Sequence, residues 1–248
     1  MTGSWKPLAC AAALACTGAA SQHIGLVSTT YKAGVAASGT IRVNNAYGEV
    51  NVEGWDRPDV EVTVTRSEFR RDDPKAREAA QRFLNRIHVN TARAANGDLV
   101  ISTSFPSRNR LVRLLRGWGD FTLEYRIQVP RQSRLVIRQA RGDVIVTDVA
   151  GDIDARTHLG DVMVQVPQSA TYELNARCRL GTVYSDLPGA SHYAFAFGHS
   201  LTNNTAKAVH HLFLRAGIGG VSVQQVRNPL EAAGGQQENA RTPENTNK

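Results

Sequence analysis

A glycine-led motif returns every nine residues through the middle of the chain: Gly142-Asp143-Val144-Ile145-Val146, Gly151-Asp152-Ile153-Asp154-Ala155 and Gly160-Asp161-Val162-Met163-Val164. Looser copies begin at Gly48, Gly181 and Gly220. Nine residues are too few for a helical repeat and suit one short strand plus one turn. Glycine at the head of each copy allows the positive φ of a tight turn, and the acidic or polar residue after it can bond turn amides. The repeat-turn positions are thus Gly48, Gly142, Asp143, Gly151, Asp152, Gly160, Asp161 and Gly181. Two units would make a rung of about 18 residues, which predicts an all-β fold, a β-solenoid or stacked β-sheet repeat domain. An antiparallel meander is the rival. It is disfavoured because the copies run like-for-like in one chain direction with few two-residue hairpin signals between them.

The rest of the body carries the same period of two. Val60, Val62 and Val64 alternate with polar residues, as do Leu123, Tyr125, Ile127 and Val129. Tyr172, Leu174, Ala176, Cys178 and Leu180 form one apolar face against Glu173, Asn175, Arg177 and Arg179. Cys178 is accordingly a small core residue, since the flanking arginines point to the opposite face of the strand. One segment breaks the pattern: Ala76, Ala79, Ala80, Phe83, Leu84 and Ile87 fall at helical spacing behind Asp72-Asp73-Pro74. This predicts a single amphipathic helix over residues 74–88, with His88 at its C-terminal end.

The N-terminus reads as an address. Lys6, an apolar run from Leu8 to Ala15 and small residues to Ala20 predict an export signal over residues 1–20, too short to span a bilayer. Cys16 follows Ala13-Leu14-Ala15, similar to the box at which bacterial lipoproteins are lipidated, although Leu14 stands one place late; ordinary cleavage after Ala13-x-Ala15 is the alternative. Residues 21–39 form a linker or first strand, residues 40–227 the β-repeat domain, and residues 228–248, poor in apolar side chains, a disordered polar tail. With both other cysteines in the signal, Cys178 can form no internal disulfide after processing.

A formal net charge of +7 favours anionic partners. Nucleic acid is not expected, because the basic residues are scattered between strands without a reading helix or an aromatic platform. Arg108, Arg110, Arg113 and Arg116, interleaved with leucines and followed by Trp118, form a candidate contact for an anionic membrane surface, or else a loop or short helix that caps the core with its leucines while its arginines are solvated. Asp143, Asp152 and Asp161 could line up as calcium ligands, but Val and Ile fill the positions where nonapeptide calcium repeats carry more Gly and Asp, so turn capping accounts for them. His192, His199, His210 and His211 show no metal-ligand spacing, and no Ser or Cys stands in a nucleophile elbow. No catalytic residue, metal or cofactor is expected. Arg141-Gly142-Asp143 matches an integrin-type tripeptide whose last two residues the repeat already explains.

The run from Ile41 to Asp56, with Gly54-Trp55-Asp56 at its end, together with Ile127-Gln128-Val129-Pro130 and the ordered Gly-Asp-Val series, resembles the bacterial adhesin-like domain, an envelope domain family of unknown function. The resemblance spans roughly Thr40 to Val226. It implies a β-solenoid-like domain, commonly behind a lipoprotein or secretory signal, and carries no catalytic residues. The functional expectation is a non-enzymatic cell-envelope module in the bacterial periplasm or anchored to the membrane, presenting a stacked sheet surface to a glycan, a protein or an anionic membrane. A membrane-associated accessory or sensor subunit is the alternative, and a polysaccharide-processing enzyme a remote one.

Overall fold

The computed structural model describes residues 27–34, 39–68, 84–105, 121–193, 198–203 and 208–226, together with residues 78, 82 and 205. The strands are β1 (Val27–Gly34), β2 (Thr40–Asn45), β3 (Glu49–Trp55), β4 (Asp59–Glu68), β5 (His88–Arg93), β6 (Leu99–Ser104), β7 (Phe121–Pro130), β8 (Arg134–Arg141) and β9 (Val144–Thr147). They continue as β10 (Ile153–Leu159), β11 (Val162–Pro167), β12 (Tyr172–Leu180), β13 (Val183–Ser185), β14 (Ala190–Tyr193), β15 (His199–Thr202), β16 (His210–Ile218) and β17 (Val221–Val226). Two mixed sheets result. Sheet A has the order β1-β4-β7-β3-β9-β11-β17-β13 and sheet B the order β14-β15-β12-β16-β10-β8-β2-β6-β5.

The nine-residue period explains this arrangement. The unit at Gly142 becomes β9 in sheet A, the unit at Gly151 becomes β10 in sheet B, and the unit at Gly160 returns as β11 beside β9. Equivalent residues therefore meet eighteen apart: Leu135 pairs with Ile153 and Val144 with Val162, both in parallel ladders. Each rung is a strand of sheet B, a glycine corner and a strand of sheet A. In spatial order the rungs are β2–β3, β8–β9, β10–β11, β16–β17 and β12–β13.

That order departs from a sequential solenoid. The last rung in sequence, β16–β17, is inserted before β12–β13, and antiparallel strands flank the stack: β1 and β4 beyond β7, β5 beyond β6, β14 and β15 beyond β12. The rival antiparallel meander fails for the repeats, because β10 pairs with β8 and β16, and β11 with β9 and β17, all in parallel ladders. β1 occupies part of the stretch read as linker or first strand, paired to β4 from Val27 to Gly34.

Like residues stack in the interior. Ile41, Leu135, Ile153, Leu212 and Leu174 share one register row of sheet B, and Val50, Val144, Val162, Val221 and Val183 one of sheet A. All ten are buried. At about 1.5–3 kcal/mol for each aliphatic side chain removed from water, these two rows alone can fix the register, since a one-residue slip would turn each strand's apolar set outward. Cys178 is buried on this face, as its alternation requires.

Two expectations need correction. Leu180 is exposed, because it is the residue at which β12 rounds the corner and leaves the interior. His88 begins β5 and pairs with Ser104, so it does not end a helix; from His88 to Asn90 the side chains alternate exposed, buried, exposed, which is the period of a strand. Most of the expected helix over residues 74–88 lies outside the described residues, although Leu84 and Ile87 are buried in the core. Residues 1–20, with Cys16, the segment from Arg108 to Trp118, and residues 228–248 also lie outside the described residues.

Candidate functional site

The site begins at the corners. Gly48, Gly142, Gly160, Gly219 and Gly181 all adopt positive φ, between +114 and +138. They stack directly, so that a Cβ on Gly142 would run into the carbonyl of Gly48, one on Gly160 into that of Gly142, and one on Gly219 into that of Gly160. In the copy read as starting at Gly220, the corner residue is thus Gly219. Gly151 differs: its backbone is not left-handed, and it must be glycine because Ser133 O fills the place of a Cβ.

Carboxylates stitch the corners together. Asp143 Oδ1 accepts from the Asp161 amide at 2.8 Å, and Asp161 Oδ1 from the Gly220 amide at 2.7 Å. Asp152 Oδ1 accepts from the His211 amide at 2.9 Å. Among the described residues no group of three or more His, Cys, Asp or Glu side chains could hold a metal ion. Gly54-Trp55-Asp56 is likewise structural. Gly54 packs on Asp148 O, Trp55 Nε1 donates to Asp59 O at 2.8 Å, and Asp56 accepts from Arg131 Nε at 2.7 Å, while Arg131 also pairs with Asp148. Arg131 holds the Asp56 carboxyl below the usual carboxylate range.

Counting back from each corner glycine exposes what the corners position. Four residues before Gly142, Gly160, Gly219 and Gly181 stand Arg138, Arg156, Arg215 and Arg177; four before Gly48 stands Asn44. The ladders place them side by side on the outward face of sheet B: Asn44 beside Arg138, Arg138 beside Arg156, Arg156 beside Arg215, Arg215 beside Arg177. The expectation that the basic residues are scattered is therefore overturned for these four. They are far apart in sequence, but register gathers them into a row with one arginine per strand, on strands about 4.8 Å apart.

The row is under-neutralised. Asp154 serves two of its members: Arg138 Nη2 donates to Asp154 Oδ2 at 2.6 Å, and Arg156 Nε to Oδ1 at 3.2 Å. Arg215 is held by neutral groups, donating to Asn175 O and Asn175 Oδ1 at 2.9 Å each, with its guanidinium 3.8 Å from the Phe213 ring centre; Arg156 lies over the same ring at 4.8 Å. Burial, then the neighbouring charges of Arg156 and Arg177, hold the Arg215 pKa below its ordinary value. Arg177 is exposed, with no hydrogen bond or ion pair among the described residues. Among the described residues, four cations thus face one carboxylate.

Shallow grooves flank the row at both ends. One of about 520 Å³ is bounded by Asn44, Arg138, Arg156 and His158, the other of about 380 Å³ by Arg177, Arg179 and Arg215. Small residues two places before two of the corners, Ala46 and Ala140, leave space in the larger groove beside Arg138 and Arg156. On the corner itself Leu159, Ile218 and Leu180 form an exposed aliphatic ridge.

One serine–histidine pair has no signal in the sequence. Ser191 Oγ lies 2.8 Å from His199 Nε2, and His199 Nδ1 accepts from the Val183 amide at 2.8 Å. Because Nδ1 is an acceptor, Nε2 carries the proton and donates to the serine, the reverse of what a general base needs. The pair fastens β15 to the last corner, under Tyr193 stacked at 3.9 Å.

No protein-family model matches the chain, and no curated protein matches it. Among solved structures, a candidate cell adhesion protein from Clostridium sporogenes is similar with a TM-score of 0.49 at 11% identity, over 82% of this chain and 100% of that one. A candidate adhesin from Bacteroides fragilis is similar with a TM-score of 0.26 at 9% identity, over 81% and 97%. Another from Parabacteroides merdae scores 0.29 at 10% identity, over 63% of each chain.

Proposed function

We propose that this protein is a non-enzymatic, exported cell-envelope module of adhesin-like character that binds an anionic partner through the outward face of sheet B. The observation that carries this reading is the row Arg138, Arg156, Arg215 and Arg177, which faces solvent with Asp154 as the only carboxylate paired to it among the described residues. Holding like charges in one register row costs stability. A protein that kept them only for solubility would gain more by dispersing them. The reading's non-enzymatic part is tested by incubating the full chain with acidic and neutral polysaccharides and measuring new reducing ends, of which none should form. Steady release of product would overturn it.

The address rests on residues 1–20. Mass spectrometry of the mature N-terminus should find the chain starting at a lipid-modified Cys16, or, for ordinary cleavage, at one of the small residues that follow Ala15. A mature chain that still begins at Met1 would refute export.

A further inference from the structure

From the row's geometry we infer a ligand class: an extended acidic polysaccharide bearing one carboxylate per sugar, lying across the strands of sheet B with successive carboxylates on Arg138, Arg156, Arg215 and Arg177. This rests on the binding reading above and deepens it.

Three observations converge on such a polymer. The first is period. Parallel pairing places one arginine per strand on backbones about 4.8 Å apart, and the row runs three such steps, about 14 Å. A pyranose in an extended chain advances by a comparable step; a 1,4-linked chain turns successive carboxylates to different sides, and the long arginine side chains reach them along both edges of the polymer. Duplex DNA carries a charge every about 1.7 Å of its axis, far denser than the row. Single strands are held on open aromatic faces, whereas the row's one ring, Phe213, has Arg215 and Arg156 over it.

The second is chemistry. A guanidinium presents a planar fork that matches a carboxylate in two parallel hydrogen bonds. Arg177 makes no bond among the described residues, and Arg156 holds Asp154 only at 3.2 and 3.5 Å, so both keep donors for a ligand. Arg215 is pre-set by Asn175 and Phe213, so it need not be ordered on binding. The third is space. The grooves beside the row, about 520 and 380 Å³, are of small-ligand size, and the larger is opened by Ala46 and Ala140, where larger side chains would fill the room a sugar ring needs.

The experiment titrates the full chain with galacturonic acid oligomers of increasing length by calorimetry, with neutral gluco-oligosaccharides, a single-stranded oligonucleotide and phosphatidylglycerol vesicles in parallel. Affinity should rise with length until the oligomer spans the four arginines, through the gain from linked contacts, and fall with added salt. Arg177→Gln should weaken the longer oligomers roughly 2- to 5-fold and Arg156→Gln with Arg177→Gln roughly tenfold, as for exposed ion pairs. Arg156→Lys, which keeps the charge but not the fork, should lie between. Arg177→Gln removes no bond to any of the described residues, and circular dichroism checks the fold of each variant.

Neutral oligomers binding as well as acidic ones would overturn the inference, as would affinity that ignores length or arginine variants that bind like the parent. Tighter, arginine-dependent binding of vesicles or oligonucleotide than of galacturonides would assign the row to that partner instead. If the galacturonides bind and are cleaved, the row stands and the non-enzymatic reading falls; if they bind with no effect of the arginines, the row falls and the binding module stands.

Discussion

Replacing Gly160 by alanine puts the corner geometry to a quantitative test. Gly160 sits at φ +132, and an added Cβ would press on the Gly142 carbonyl and lie 2.8 Å from Asp143 Oδ1. A residue other than glycine in that part of the map costs about 1–3 kcal/mol, and forcing an extra methyl group into a packed stack costs about 1–3 kcal/mol more. The sum, about 2–6 kcal/mol, is a large share of the roughly 5–15 kcal/mol that holds a domain folded. At roughly 2–4 °C per kcal/mol for a domain of this size, the thermal midpoint should fall by roughly 4–24 °C. Gly220 supplies the control one rung away. Its φ lies outside the left-handed region, and the atom that a methyl group there would approach most closely, Thr182 O, is 3.4 Å off. Gly220→Ala should therefore stay within about 1 kcal/mol of the parent. Heating both variants while following the far-ultraviolet β signal gives the comparison. Equal losses would refute the argument, because only one of the two sites has a blocked Cβ and a positive φ.

Two further outcomes follow from the side chains that tie rungs together. Asp98 is held below the usual carboxylate range by Arg42 first and then by the Thr40 amide. Its folded pKa is depressed, so its contribution is full above the unfolded value of about 3.9 and is lost as pH falls through the folded value. Urea unfolding of the parent should accordingly weaken more than that of Asp98→Asn below about pH 4; parallel pH curves would contradict this. Asp161→Ala should lower the urea midpoint by an amount equal to about 0.5–1.5 kcal/mol, the net worth of its solvent-exposed hydrogen bond from the Gly220 amide. Asp161→Asn, which keeps an acceptor, should lose less.

The rungs are legible in the sequence because one residue type does two jobs. Glycine marks each corner chemically and allows its backbone, so a pattern of Gly-Asp-Val at nine-residue spacing carries both strand length and turn position. The order of rungs is not legible. Nothing local in His210 to Val226 says that it enters between β10–β11 and β12–β13, because every rung offers a neighbour the same aliphatic rows and the same corner amides. Arg138, Arg156, Arg177 and Arg215 escape a linear reading for a related reason. Along the chain they are spread over nearly eighty residues, and only their shared offset of four before a corner glycine shows that they are one feature. Gly54-Trp55-Asp56 shows the reverse case, a motif conspicuous in sequence whose contacts are all internal.

The same offset makes the row extendable, which separates a continuous track from four independent anion contacts. Asn44 holds the equivalent place before Gly48 and is the register partner of Arg138. Asn44→Arg would add a fifth guanidinium about 4.8 Å along the row. Asn44 is exposed, and the new charge beside Arg138 should cost stability no more than about 1 kcal/mol. If the arginines act as one track, an acidic oligomer long enough to reach the new rung should bind roughly 2- to 5-fold tighter, the share of one exposed ion pair. Oligomers that span only the original four should gain little, since the added cation offers them no further simultaneous contact. Gains that are equal for short and long oligomers would mean that charge alone, rather than register, sets the affinity. No gain at any length would mean that the first rung lies outside the path of the ligand.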